Sequence, residues 1–135
     1  MSLSCVYLFV YALKKDINYI PYAIFLISVF HILRAGMIVL TPLGFPQDYQ
    51  GFLKSGKDSV FLFGAFPSGH LSIPYLIYLL TKSKILLIFT FVVGFCLLIS
   101  HAHYSIDLIG TLLVAYPIFM FAEKSARRYF FEQIK

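Results

Sequence analysis

Two histidines and an aspartate dominate the chemistry this sequence can do. His103 and Asp107 stand four apart, so on a helix they share a face. A carboxylate in that position accepts a hydrogen bond from one imidazole nitrogen. That fixes the tautomer and makes the other nitrogen a better nucleophile. A helix starting at this pair would direct its positive dipole end at an anion such as a phosphate. The alternative is a structural His–Asp bond that neutralises a buried carboxylate. His70 closes the tetrapeptide Pro67-Ser68-Gly69-His70. There Ser68 suits a helix N-cap, Gly69 lets backbone approach a ligand, and exposed N–H groups could hold phosphate oxygens. His70 could then protonate a leaving oxygen. Its alternative is an ordinary loop-to-helix junction. Pro74 suits a first helical turn if Ser72 is the cap and kinks the helix if Ser68 is.

Arg34 is the one cation inside an apolar run, about seven residues from its end and so roughly 10 Å deep. A guanidinium there must be paired or face a polar cavity, and it suits bidentate phosphate binding. An ion pair with Asp107 or a snorkelling side chain is the other option. His31, three residues earlier, shares its face. His101 and Tyr104 flank His103 as possible supporting groups, and Lys54 and Lys57 could approach an anionic headgroup from a loop.

The elements that position these residues are apolar. The 135-residue chain has room for one domain, is 60% hydrophobic, 19% aromatic and 13% charged, and has mean hydropathy +0.85. A soluble domain of this size needs far more charged surface, so composition points to an integral membrane protein. Five apolar segments are expected: Leu3 to Leu13, too short to span alone; Ile17 to Thr41; Ser59 to Thr81, broken at Phe66-Pro67-Ser68-Gly69, with its helix starting near Ser68 or Ser72; Ile85 to Ser100; and about Tyr104 to Ala122 with a proline at 117. A loop rich in glycine and proline, Pro42 to Asp58, and a basic tail, Lys124 to Lys135, complete the chain.

The net charge is +5 with a pI near 9.3, but the basic residues lie between apolar runs, which suits topology and anionic headgroups rather than nucleic acid. If the gaps alternate sides, Lys14, Lys15, Lys82, Lys84, Lys124, Arg127, Arg128 and Lys135 fall on one side, against Lys54 and Lys57 on the other. That asymmetry predicts a cytoplasmic C-terminus and brings His70 and His103 together near the extracytoplasmic face. Cys5 and Cys96 read as small buried hydrophobes. The N-terminus lacks the charge order and cleavage site of a signal peptide.

The stretch Phe63 to His70 (Phe-Gly-Ala-Phe-Pro-Ser-Gly-His) and the stretch Ser100 to Gly110 (Ser-His-Ala-His-Tyr-Ser-Ile-Asp-Leu-Ile-Gly) resemble the last two motifs of the type-2 phosphatidic acid phosphatase superfamily. The nearest likeness is to its sphingomyelin synthase and inositol phosphorylceramide synthase branch. The run Arg34 to Pro42 is more loosely similar to an earlier motif of that branch. The resemblance implies that His103 forms a phosphohistidine, Asp107 orients it and His70 protonates the leaving alkoxide, with no metal or other cofactor. Two phosphate-gripping motifs of the phosphatases are missing: a Lys followed by Arg-Pro, and a Ser-Arg pair where Cys96 and Leu97 stand. Arg34, Ser68 and Gly69 would replace them. The synthase branch also lacks the Ser-Arg pair.

The expectation is therefore an all-α membrane bundle of four to five transmembrane helices, acting on a phospholipid or lipid phosphate with no nucleic-acid partner. Phosphotransfer through a phosphohistidine is preferred. The alternatives are hydrolysis of a lipid phosphomonoester and a non-catalytic lipid-binding protein with a degenerate site.

Overall fold

Helices occupy the apolar runs and end at the breakers between them. The computed structural model describes residues 2–40 and 66–132. Their helices are α1 (Ser2–Lys15), α2 (Tyr19–Leu40), α3 (Gly69–Thr81), α4 (Lys84–Ile99), α5 (Ser105–Ser125) and α6 (Arg127–Glu132), and no strand occurs among these residues. Lys54, Lys57, the Pro42–Asp58 loop, Thr41, Lys135 and the first three residues of the Phe63 stretch lie outside them.

Local chemistry sets the boundaries. Between α1 and α2 the Asp16 carboxylate accepts the Asn18 N–H at 2.9 Å, a side-chain mimic of a turn. Ser68, not Ser72, caps α3, its hydroxyl accepting the Leu71 N–H at 3.4 Å. Pro74 therefore sits in the helix interior, where its missing N–H leaves the His70 carbonyl without the usual donor four residues on. At the other end Lys82 adopts φ 55°, and its N–H closes onto the Tyr78 carbonyl at 2.7 Å. Asp107 is the third residue of α5 and accepts the Tyr104 N–H at 2.9 Å. This is the return arm of a capping box.

Length sorts the helices. The 22 residues of α2 and 21 of α5 are long and apolar enough to cross a bilayer. At about 1.5 Å per residue they reach the ~30 Å of its hydrocarbon core. Their most apolar stretches are only 17% and 33% buried, so their apolar side chains mostly face outward. The other apolar helices are shorter, 14 residues in α1, 13 in α3 and 16 in α4. Of the four to five crossings expected, two helices have the length and apolarity to be crossings on their own. Cys5 and Cys96 correct another expectation: both are exposed, on the outward faces of α1 and α4. Apolar periodicity identifies a helix that avoids water, but where every face avoids water it does not say which one turns inward. The expected basic tail also contains a short helix, α6.

The shortest of the apolar helices is the central one. α3 packs against α1, α2, α4 and α5, with Leu71, Ser72, Ile73, Pro74, Leu76, Ile77 and Leu79 all buried. On one side Leu76 and Leu79 meet Tyr22, Leu26 and Phe30 of α2 and Ala115, Ile118 and Phe119 of α5. On another, Ile73 and Ile77 meet Leu8, Ala23 and Leu86. At the end where α3 stops, Lys82 lies over the Phe119 ring at 5.0 Å, Tyr22 donates its hydroxyl to Glu123 at 3.1 Å, and Arg127 pairs with Glu123. Tyr19 and Tyr22 pack edge-on against Phe131 of α6. Basic side chains thus gather at one end of the bundle; the motif histidines lie at the other.

Phe30 is fully buried between α2, α3 and α5. Phe30→Ala is expected to destabilise the bundle by about 3–5 kcal/mol, read as a lower thermal unfolding midpoint in detergent. A midpoint equal to the wild type would show that this cluster does not hold the helices together.

Candidate active site

Three helix ends converge. α5 begins just after His103, α3 begins just after Ser68, and the far half of α2 carries His31 and Arg34. The turn that delivers His103 leaves α4 with the Ser100 N–H on the Cys96 carbonyl at 2.9 Å and the Ala102 N–H on the Leu97 carbonyl at 3.1 Å. His101 takes φ 51° there, a left-handed conformation that reverses the chain and leaves its side chain exposed.

His103 is held at both nitrogens. Nδ1 lies 3.2 Å from Asp107 Oδ2 and Nε2 lies 3.2 Å from Ser68 Oγ. An ionised carboxylate only accepts, so Nδ1 carries the proton. The Ser68 hydroxyl already accepts the Leu71 N–H and turns its own hydrogen to the Nε2 lone pair. The imidazole is thereby fixed in the tautomer that makes Nε2 nucleophilic. His103 precedes α5 and is buried. Burial lowers its pKa below the ordinary 6.5, outweighing the opposing hydrogen bond and charge of Asp107, while the charges of His70 and Arg34 also push it down. The imidazole is neutral at neutral pH.

Asp107 is fully buried. Oδ2 receives the Tyr104 N–H and the His103 N–H, while Oδ1 has no hydrogen-bond partner among the described residues. The remaining compensation comes from its place in the first turn of α5, at the positive end of the helix dipole.

His70 is exposed at the start of α3, its ring centroid 6.4 Å from that of His103. The two rings stand edge to face, one exposed and one buried. Arg34 donates from Nε to the Pro67 carbonyl at 2.7 Å. This contact, rather than the alternative of a pair with Asp107, ties α2 to the α3 cap. His31 Nδ1 sits 2.9 Å from the Ile27 carbonyl, which can only accept, so Nε2 is left as the acceptor. Both side chains lie against Gly69: a methyl group added there would stand 3.5 Å from Arg34 Nε and 3.7 Å from His31 Nε2. The structure thus brings together His31, Arg34, Ser68, Gly69, His70, His103 and Asp107. It leaves His101 outside and keeps Tyr104 as a backbone partner of Asp107 with its ring exposed.

Two contributors escaped the sequence reading. Thr111 is fully buried, and its hydroxyl faces the Asp107 carbonyl at 2.7 Å and the Ser68 carbonyl at 3.2 Å, clamping the α3 cap to α5. Its signal was available: it stands four residues after Asp107 on the same face. The second is Gly110, which accommodates the Phe66 ring. Among the described residues no group of three or more His, Cys, Asp or Glu side chains is placed to hold a metal. Comparison of the chain with known protein families, with curated proteins and with solved structures finds no match.

A methyl group on Gly110 would come within 2.3 Å of the Phe66 ring, the residue just before Pro67 and Ser68. Gly110→Ala is expected to displace that ring and cost about 1–3 kcal/mol, whereas Gly36→Ala, with open space around it, should be neutral or stabilising. Equal melting of the two variants in detergent would sink the role assigned to Phe66.

Proposed function

We propose that this chain is a multi-pass membrane enzyme that transfers a phosphate-linked lipid headgroup through a phosphohistidine on His103. The observation that carries the proposal is the buried His103 imidazole, with Nδ1 on Asp107, Nε2 on the Ser68 cap and the His70 ring 6.4 Å away between centroids. The resemblance of the two motifs to type-2 phosphatidic acid phosphatases supports the same assignment.

In the first step the Ser68 hydroxyl turns away from Nε2, the freed lone pair attacks phosphorus and the bond from phosphorus to the leaving oxygen breaks. His70 gives that oxygen a proton, and Asp107 stabilises the positive charge gained by the imidazole. In the second step an acceptor hydroxyl attacks the same phosphorus, His70 takes its proton, and the P–N bond breaks to restore His103. Backbone N–H groups at the start of α3 and the Arg34 guanidinium stabilise the phosphoryl oxygens, in water-poor surroundings where such contacts count for more. With a lipid alcohol as acceptor the reaction is a transfer; with water it is the phosphatase reaction. Labelled phospholipid supplied with and without a diacylglycerol or ceramide acceptor separates the two.

The outward apolar faces of α2 and α5 support a bilayer as the surroundings, with the shorter helices completing four to five crossings. The basic cluster at the opposite end from the site supports a cytoplasmic C-terminus and a site opening on the extracytoplasmic side.

A second reading follows from the Ser68–His103–Asp107 chain of contacts, which has the connectivity of an acyl-transfer triad. Ser68 is fully buried and its oxygen is engaged by the Leu71 N–H, which favours His103 as the nucleophile. The two readings predict opposite outcomes. His103→Gln should abolish turnover and acid-labile labelling from a phosphorus-labelled donor. Ser68→Ala should retain both, at a cost of about 1 kcal/mol for the lost cap. Loss of the phosphoryl label in Ser68→Ala with an acyl adduct on wild-type Ser68 would reverse the assignment. The pH dependence gives an independent check. The nucleophile must be unprotonated, and its pKa is lowered, so the acidic limb of activity should lie below 6.5. An acidic limb of kcat/KM above that value would contradict a buried His103 nucleophile.

A further inference from the structure

An apolar groove runs down the bundle from the level of the active site between α3, α4 and α5, with a volume of about 750 Å³. That is within the ~300–1,000 Å³ range of small-molecule sites. Its upper end lies at the level of the site: Leu71 and Ser105 line it at the first turns of α3 and α5, and Leu71 follows His70, Ser105 lies two residues after His103 and Leu108 follows Asp107 in the chain. Along α4 the wall runs from Leu98 beside that end through Gly94 and Thr90 to Leu87, about 16 Å at 1.5 Å per residue. That is half of a ~30 Å hydrocarbon core, the depth of one leaflet.

We infer that this groove holds one acyl chain of the substrate lipid and thereby sets the register of its phosphate over His103. The inference rests on the lipid-phosphate reading above and names where the tail goes. The lining suits a hydrocarbon chain. Of the polar side chains in its wall, Thr90 is satisfied internally, its hydroxyl donating to the Leu86 carbonyl at 2.7 Å, and the Tyr75 and Tyr78 rings stack on one another. Gly94 keeps the wall low where Leu71 and Leu108 approach: a methyl group there would stand 3.5 Å and 3.8 Å from their tips. Phe91 and Phe95 flank the groove and are 68% and 65% exposed, so the slot is open sideways to neighbouring lipids and a chain can slide in without leaving the membrane.

A chain already in a bilayer gains no hydrophobic free energy by moving into such a groove. Selection must come from fit, with the phosphate anchored at one end and the chain confined along the wall. This distinguishes the groove from a lipid-facing surface, which any lipid wets equally. It also separates it from a face for a second copy of this chain, which would bury Phe91 and Phe95.

The test uses the full chain in phosphatidylcholine vesicles with a trace of phosphatidic acid bearing a photoreactive group at a shallow, middle or terminal position on one acyl chain. A diacylglycerol with the same label is the comparison. The expected result is labelling that moves from the Leu98 end to the Leu87 end as the group moves down the chain, and that is stronger for the phosphate-bearing lipid. This outcome supports the groove even in a protein that turns nothing over, in which case the reaction proposed above fails and the binding site stands. Equal labelling by both lipids, spread over the outward faces of α2 and α4, overturns the groove whether or not turnover is present. So does cross-linking between two copies through Phe91 or Phe95. Gly94→Phe, which blocks the slot below its upper end, gives a second readout. In an active enzyme it should lower turnover of a long-chain donor by about tenfold or more while sparing a short-chain donor. An equal effect on both donors, in a variant that still melts cooperatively, overturns the inference as well.

Discussion

A carboxylate buried among apolar helices needs donors around it, and much of this structure follows from supplying them to Asp107. An isolated ionised carboxylate in such a setting would cost many kcal/mol. Here one oxygen takes two N–H groups, from the Tyr104 backbone and the His103 ring, and the carboxylate lies in the first turn of α5. Both donors are local in sequence, so α5 must begin where it does. The His101 reversal and the capping arrangement at Tyr104 are parts of that requirement. The His103 ring, the proposed nucleophile, is positioned by the same contact that makes the carboxylate tolerable.

The second constraint ties distant segments to this node. Ser68 caps α3, and its hydroxyl reaches His103, its N–H reaches the Asp107 carbonyl at 3.3 Å, and its own carbonyl accepts from Thr111. Arg34 holds the preceding carbonyl, at Pro67, from α2. Three helices are thus joined through two consecutive residues. In an apolar bundle each of these hydrogen bonds lacks competition from water, and leaving any of the groups unmatched would be costly. α3, buried on nearly all sides, carries this polar end on an apolar body.

Much of this was legible in the sequence, for identifiable reasons. The four-residue spacing of His103 and Asp107 and the cap at Ser68 are local patterns, and each is reproduced in the geometry. The helix bounds follow from proline, glycine and charge. Contacts between segments were less legible. That Arg34 would reach a backbone carbonyl, that Phe66 would lie over Gly110 and that Thr111 would bridge two helices depend on packing angles that composition does not encode. The outward direction of Cys5 and Cys96 was hidden because every face of these helices is apolar. Helix lengths separated α2 and α5 from the rest, whereas hydropathy had set apart only the first apolar run, Leu3 to Leu13, as too short to span alone.

The unequal lengths of α2 and α3 also set the depth of the chemistry. α2 continues six residues beyond Arg34 to Leu40, about 9 Å at 1.5 Å per residue, while α3 starts at Gly69 beside that arginine. The cluster around His103 is therefore recessed below the far end of α2. For a lipid whose phosphate rides at the water interface, substrate and catalyst meet in a dimple. Either the interface dips at the protein or the lipid sinks toward the bilayer midplane. Under the proposed function, local bilayer thickness would then control the reaction: a thicker membrane would raise the phosphate away from His103, and a thinner one would bring it within reach.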